Sequence, residues 1–340
     1  MRLALPLLAL VAVCTVPVSG QVPTYHVVKR ISLPGEGGWD YLTVDTAAHR
    51  LYVSRGTHVA VVDLDKDSIV GDIPNTLGVH GIALIRDLGR GFTSNGRDST
   101  VTVFDLKTLA PVTVIKVTGR NPDAIAYEPV SQRVFTFNGG SGTTTAIDPR
   151  TGAVVGTADL AGRPEFAVAD GQGRIFVNIE DKSELLALDA RTLAVQKRWS
   201  LAPCAEPSGL AIDRAQRRLF SVCDNGVMVV SDADSGRVLA KLPIGAGVDG
   251  AAFDPATHLA FSSNGEGTLT VVREQSPDSF SVVATVPTQR GGRTVALDER
   301  THRVYTVAAQ FGQPPAPTPD RPRPRPPIIP GSVVLLVLER

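Results

Sequence analysis

The sequence predicts an all-β protein: a seven-bladed β-propeller of four-stranded antiparallel blades, closed by an N-terminal strand that completes the last blade. Three observations predict it. First, one pattern recurs seven times: an apolar stretch, an acidic or turn residue, a basic residue, an apolar residue and an aromatic. The aromatics fall at Tyr52, Phe92, Phe135, Phe176, Phe220, Phe261 and Tyr305, spaced by 40, 43, 41, 44, 41 and 44 residues. Second, each unit holds four short runs rich in Val, Ile, Thr and aromatics, separated by turn residues. Third, the two termini carry complementary pieces of one unit.

In the first unit the strands are expected at residues 41–44 (A), 50–54 (B), 59–62 (C) and 69–73 (D). Strand C usually ends in Asp, at Asp63, Asp105, Asp148, Asp189 and Asp232. A carboxylate there can accept backbone N–H groups in a tight C–D turn, so these five are read as structural. The last unit has A at 293–297, B at 304–307 and C at 333–338, and then the chain stops. The run 25–33 is a strand without partners of its own. Placing it as D of the last blade closes the ring and removes both sheet edges. Trp39-Asp40 resembles the dipeptide of WD repeats, but it occurs once and precedes strand A, so it carries no such meaning.

Arg2, the apolar run 3–13 and the small residues Val18-Ser19-Gly20 read as a secretory signal peptide over 1–20, cut before Gln21. The rival reading, a lipidated Cys14, is weakened by Val13 where a small residue is required. The apolar run is too short to span a bilayer, and no later stretch reaches the roughly 18 apolar residues a spanning helix needs. The expectation is a periplasmic or secreted monomer, a single propeller domain over 21–340. In an oxidising compartment Cys204 and Cys223 are expected to form a disulfide, the other reading being two separate buried thiols. Formal net charge is zero, which removes any global electrostatic drive toward nucleic acid or anionic membrane.

Repeats such as RLYVSRGTHVAVVDLDKDSIVGDI and RLFSVCDNGVMVVSDADSGRVLAKLPIG resemble the YVTN-type, YncE-like bacterial β-propeller proteins across the mature chain. The resemblance implies the fold and export. It specifies activity weakly, because that superfamily includes binding proteins, single-stranded DNA binders and enzyme scaffolds.

The repeat register sorts residues by face. D–A and B–C connections emerge at one mouth of the channel, A–B and C–D turns at the other. One residue per unit stands at the entrance to strand A: Asp40, His80, Asp123, Glu165, Ser208, Asp249 and Arg293. Strand A lines the channel, so these seven should converge. The B–C loops add Arg55, Asn95, Asn178, Glu180 and Asn264 on the same face, and Trp39 and Phe166 flank the ring. The equivalent Asn residues also suit turns on structural grounds.

Three functions are compatible with this face. The favoured one is a binding platform for a small molecule, glycan or protein, with arginine forks for carboxylates or phosphates. The second is a metal-dependent lactonase- or esterase-like hydrolase. Its Ca²⁺ or other divalent cation would sit in the channel on Asp40, Glu165 and Asp249. That reading is an analogy with propeller lactonases, whose sequence motif is not present. The third is single-stranded DNA binding through Arg55, Arg97, Arg120, Arg163, Arg290 and Arg293. The last B–C connection carries a Pro/Arg-rich insertion at 309–330, expected in extended polyproline conformation. It is expected to lie over the mouth as a lid, to dock a partner, or to remain a solvated loop.

Overall fold

A computed structural model describes residues 24–318 and 324–340. The expected signal peptide over 1–20, Cys14, Arg321 and Arg323 lie outside the described residues. Seven antiparallel sheets of four strands form the ring. The first blade runs Leu42–Asp45, Arg50–Ser54, Val59–Asp63 and Ser68–Ile73, each strand within a residue of its expected bounds. The last is built from Ala296–Asp298, Arg303–Ala308, Val334–Glu339 and the N-terminal His26–Ser32, which pairs antiparallel with Val334–Glu339. Ring closure by the N-terminal strand is therefore as expected. Among the described residues, no helix is long and apolar enough to cross a membrane.

Alternation and burial explain the blades. Strands B and C are buried on both faces, and strand D forms the outer rim with exposed Val112, Val114 and Val155. The seven repeated aromatics, all on strand B, are at most 1% exposed, so they are scaffold. The strand-C aspartates accept the N–H groups two and three residues on, as at Asp63 from Asp65 and Lys66 and at Asp189 from Arg191 and Thr192. Cys204 and Cys223 are joined by a disulfide, tying the loop before blade 5 to the end of its strand B.

One strand departs from expectation. Strand A of the last blade begins at Ala296 rather than at 293. The reason lies in the neighbouring blade, where the N–H of Gly250 donates to the carbonyl of Arg293 at 2.9 Å. The first half of this segment is bonded sideways and does not join its own sheet.

A ring of charge over an aromatic floor

The ring residues converge because of a repeated irregularity. In blades 2 to 6 the A–B register slips just after the ring residue, between Val79 and Ile82, Pro122 and Ile125, Pro164 and Ala167, Pro207 and Leu210, and Val248 and Gly250. A bulge at a strand's end re-aims its side chain. Glycine follows the ring residue in three blades. At Gly209 a Cβ would lie 2.6 Å from the backbone nitrogen of Ala251, and at Gly250 2.7 Å from that of Val295. The inner strands thus approach closely enough to bring their side chains together. Strand-B side chains hold this geometry: the Ser94 hydroxyl donates to the Asp123 carbonyl, and that of Ser263 to the Arg293 carbonyl.

Charge alternates around most of the ring. Arg293 pairs with Asp249 at 2.6 Å, though not aligned for a hydrogen bond, and approaches Asp40 at 3.9 Å. His80 Nδ1 meets Asp40 Oδ2 at 2.6 Å and Asp123 Oδ1 at 3.7 Å. Burial alone would lower the His80 pKa. The Asp40 hydrogen bond and the Asp123 charge overcome it and raise the imidazole to about 9. His80 is thus a cation at neutral pH. Burial raises Asp123 to about 7 against the pull of His80, and Asp249 to about 6 against that of Arg293.

Glu165 breaks the alternation. Its ring neighbour on one side is Asp123 and on the other the neutral Ser208, and no cation pairs with it among the described residues. Desolvation and then the Asp123 charge raise its carboxyl to about 9. Glu180, in the loop above, is paired with Arg163 at 2.6 Å.

The channel beneath the ring is closed by residues with no repeat signature. Tyr41 on blade 1 reaches across to blade 4, stacks on Phe166 with ring centroids 5.0 Å apart, and donates its hydroxyl to the Glu165 carbonyl. A polar ring therefore sits on an aromatic floor. Above it, a cavity of about 490 Å³ is lined by Trp39, Asp224, Arg293, Phe311, Arg325 and Ile328 among others. Phe311, Arg325, Pro326 and Ile328 of the Pro/Arg-rich insertion contribute to its lining. The base of the insertion is pinned by a bridge between Phe311 and Ile328 and by Gly312 N–H donating to Pro327 O. The described part of the insertion is therefore folded back over the mouth.

Several expected contacts belong to the scaffold instead. Asn95 and Asn264 are buried, each accepting one side-chain hydroxyl and donating to two threonines of strand C. Asn178 donates to the carbonyls of Ser208 and Gly209 and accepts from Ser221. Their amides are spent inside the blades. Arg55 is fully buried and donates to the carbonyls of Leu33, Pro34, Gly35 and Gly37. It clamps the segment that follows the closing strand and faces no ligand. Trp39 packs in the apolar seam between the last and first blades, against Phe311, and reaches the cavity by one edge. Phe166 is committed to Tyr41.

The proposed cation ligands are not gathered. Among the described residues, the only groups of three or more acids, His or Cys with ligand atoms within 4.8 Å are Asp40–His80–Asp123 and Asp213–His258–Glu274. Asp40, Glu165 and Asp249 do not form such a group, and a protonated His80 already occupies the place of a cation between Asp40 and Asp123. Three of the six arginines of the DNA reading, Arg55, Arg163 and Arg293, are engaged with carbonyls or carboxylates.

No protein-family model and no curated protein matches the sequence. Solved structures do match in shape. U3-55K superposes with a TM-score of 0.77 at 9% identity, over 92% of this chain and 99% of that one. The RRP9 WD40 repeats give 0.76 at 10%, over 91% and 97%. Kuenenia stuttgartiensis hydrazine synthase gives 0.70 at 16%, over 81% and 94%. At such identities the likeness is one of fold, and it places the chain among seven-bladed propellers.

Proposed function

We propose that this chain is an exported, YncE-like binding protein whose channel mouth captures a small molecule carrying a cationic or multiply N–H-donating group. The unpaired Glu165 supports this reading above all. Every other ionisable residue of the ring faces an opposite charge at close range. Glu165 alone is held among acids with no cation beside it, so a ligand ammonium or guanidinium supplies what the ring lacks. Trp39, Phe311 and Ile328 offer apolar surface for the rest of the molecule, and Arg293 and Arg325 suit a carboxylate on it. The leader-like residues 1–20 support export. The hydrolase reading loses its ligand set, and a binding role needs none of that chemistry.

The test uses the edge of Trp39 as a fluorescent reporter. Spermidine and arginine are titrated as cationic probes against citrate as an anionic one. The expectation is that a cationic probe binds and that Glu165→Gln weakens it at least tenfold, which is about 1.4 kcal/mol. Binding of citrate alone, unaffected by Glu165→Gln, would overturn the assignment.

A further inference from the structure

On the opposite face, between blades 5 and 6, the repeat is broken at three positions in one place. In blades 1, 2, 4 and 5, strand B begins with Arg and pairs with the Asp that ends strand C: Arg50 with Asp63, Arg90 with Asp105, Arg174 with Asp189, and Arg218 with Asp232. Blade 6 has Leu259 opposite Arg273. The next residue of strand C is apolar in those four blades, as Leu64, Leu106, Ala190 and Ala233. In blade 6 it is Glu274. The backbone is conserved through this change, because Glu274 N–H still donates to the carbonyl of the A–B turn at His258, as Ala233 does at Arg217. A carboxylate thus stands in a position built for a buried methyl group.

That carboxylate faces a second one. Asp213 ends strand A of blade 5, where its Oδ1 accepts the N–H groups of Ala215 and Gln216. In blades 1, 4 and 6 the acid at this register meets a basic side chain from the next blade: Asp45 has Arg86 at 2.8 Å, Asp170 has Arg217 at 3.3 Å, and Asp254 has His302 at 2.8 Å. Asp213 meets His258 and Glu274 instead. Asp213 is 2% exposed and Glu274 5%. Asp213 Oδ2 and both Glu274 oxygens lack a hydrogen-bond donor. Two such acids cannot both stay ionised unless something positive lies between them.

We propose that Asp213, His258 and Glu274 form a binding site for a divalent transition-metal cation, with Zn²⁺ as the fitting example. One ligand atom from each residue lies within 4.8 Å of the others. One imidazole nitrogen with two carboxylate oxygens is a donor set that Zn²⁺ accepts, with a position left for water on the exposed His258 side. The metal would neutralise both acids and lock blade 5 to blade 6. The site is separate from the channel mouth and independent of the ligand captured there.

The test is calorimetric titration of Zn²⁺ into EDTA-stripped protein. His258→Gly, Glu274→Leu and, as a mouth control, His80→Ala are titrated beside the wild type. His258→Gly keeps the turn, since His258 has a φ of +53° and blades 2 and 4 already carry glycine there, at Gly89 and Gly173. Glu274→Leu restores the residue of blades 1 and 2. Wild type and His80→Ala should share one Zn²⁺ equivalent that His258→Gly and Glu274→Leu lose or bind at least a hundredfold more weakly. Zn²⁺ should raise Tm in the wild type and leave that of His258→Gly unmoved. If both variants bind Zn²⁺ as the wild type does, the proposal is wrong. It is equally wrong if the wild type binds none and Glu274→Leu merely raises Tm, because the two acids then only share a proton. Should Glu274→Leu fail to fold, His258→Gly decides alone.

Discussion

Replacing Glu165 with glutamine should stabilise the free protein, by an amount that depends on pH in a defined way. Desolvation and neighbouring acids raise the Glu165 carboxyl from 4.5 to about 9. The folded chain therefore keeps a proton that the unfolded chain releases. This contribution to stability is fully present below the unfolded pKa and is lost as pH rises toward the folded one. At pH 7 the loss is about 3 kcal/mol, from about 2.5 pH units at ~1.36 kcal/mol each. At pH 5 it is under ~1 kcal/mol by the same arithmetic. Glutamine matches the shape of the protonated acid and ionises in neither state, so it removes the loss. An unfolding entropy of ~2.1 cal/mol/K per residue, summed over this chain, converts ~3 kcal/mol into about 5 °C of Tm. Scanning calorimetry of both proteins at pH 5 and pH 7 checks it. The variant should melt about 5 °C higher at pH 7 and about 1 °C higher at pH 5. A difference independent of pH, or a variant less stable at pH 7, refutes the charge account of the mouth. The same substitution weakens the proposed ligand, so stability and binding should move in opposite directions.

Two further outcomes follow from the closure of the ring. Leu33 is fully buried just past the closing strand, bonded through its N–H to Val333 and through its carbonyl to Arg55. Leu33→Ala should cost about 2–5 kcal/mol in urea denaturation, and deleting residues 25–33 should abolish cooperative unfolding. Reducing the Cys204–Cys223 disulfide, with its sequence separation of 19, should cost about 3 kcal/mol; a midpoint unchanged by reductant would contradict this.

The strands were legible because their signal is local and repeated. The alternation around Tyr52 or Phe135 recurs with its turns, so blade number, strand order and even the ring membership of Asp40 or Asp249 could be read by register. The floor was not legible. Tyr41 and Phe166 belong to blades three apart in the ring, and nothing local marks that they meet. A Gly following the ring residue, as at Gly209 and Gly250, was the available sign that the inner strands approach closely. The Glu274 position was also readable, as an acid where the register of blades 1, 2, 4 and 5 holds Leu or Ala. It becomes informative only beside Asp213, which belongs to another blade.

Sequence alone determined the seven-bladed ring, its closure by the N-terminal strand, and the structural role of the repeated aromatics and strand-C aspartates. Each of these rests on hydrophobic period, turn chemistry and chain ends, which are properties of a segment and its copies. Tertiary structure decided which polar residues are available. Arg55, Asn95, Asn178 and Asn264 share a face with Glu165, yet their donors are taken up by backbone and threonine groups brought close by folding. A buried polar group must be paired, and its partners come from whatever strand lies beside it. That pairing takes up Arg55 and the three asparagines and leaves Glu165 as the ring acid without a cationic partner among the described residues.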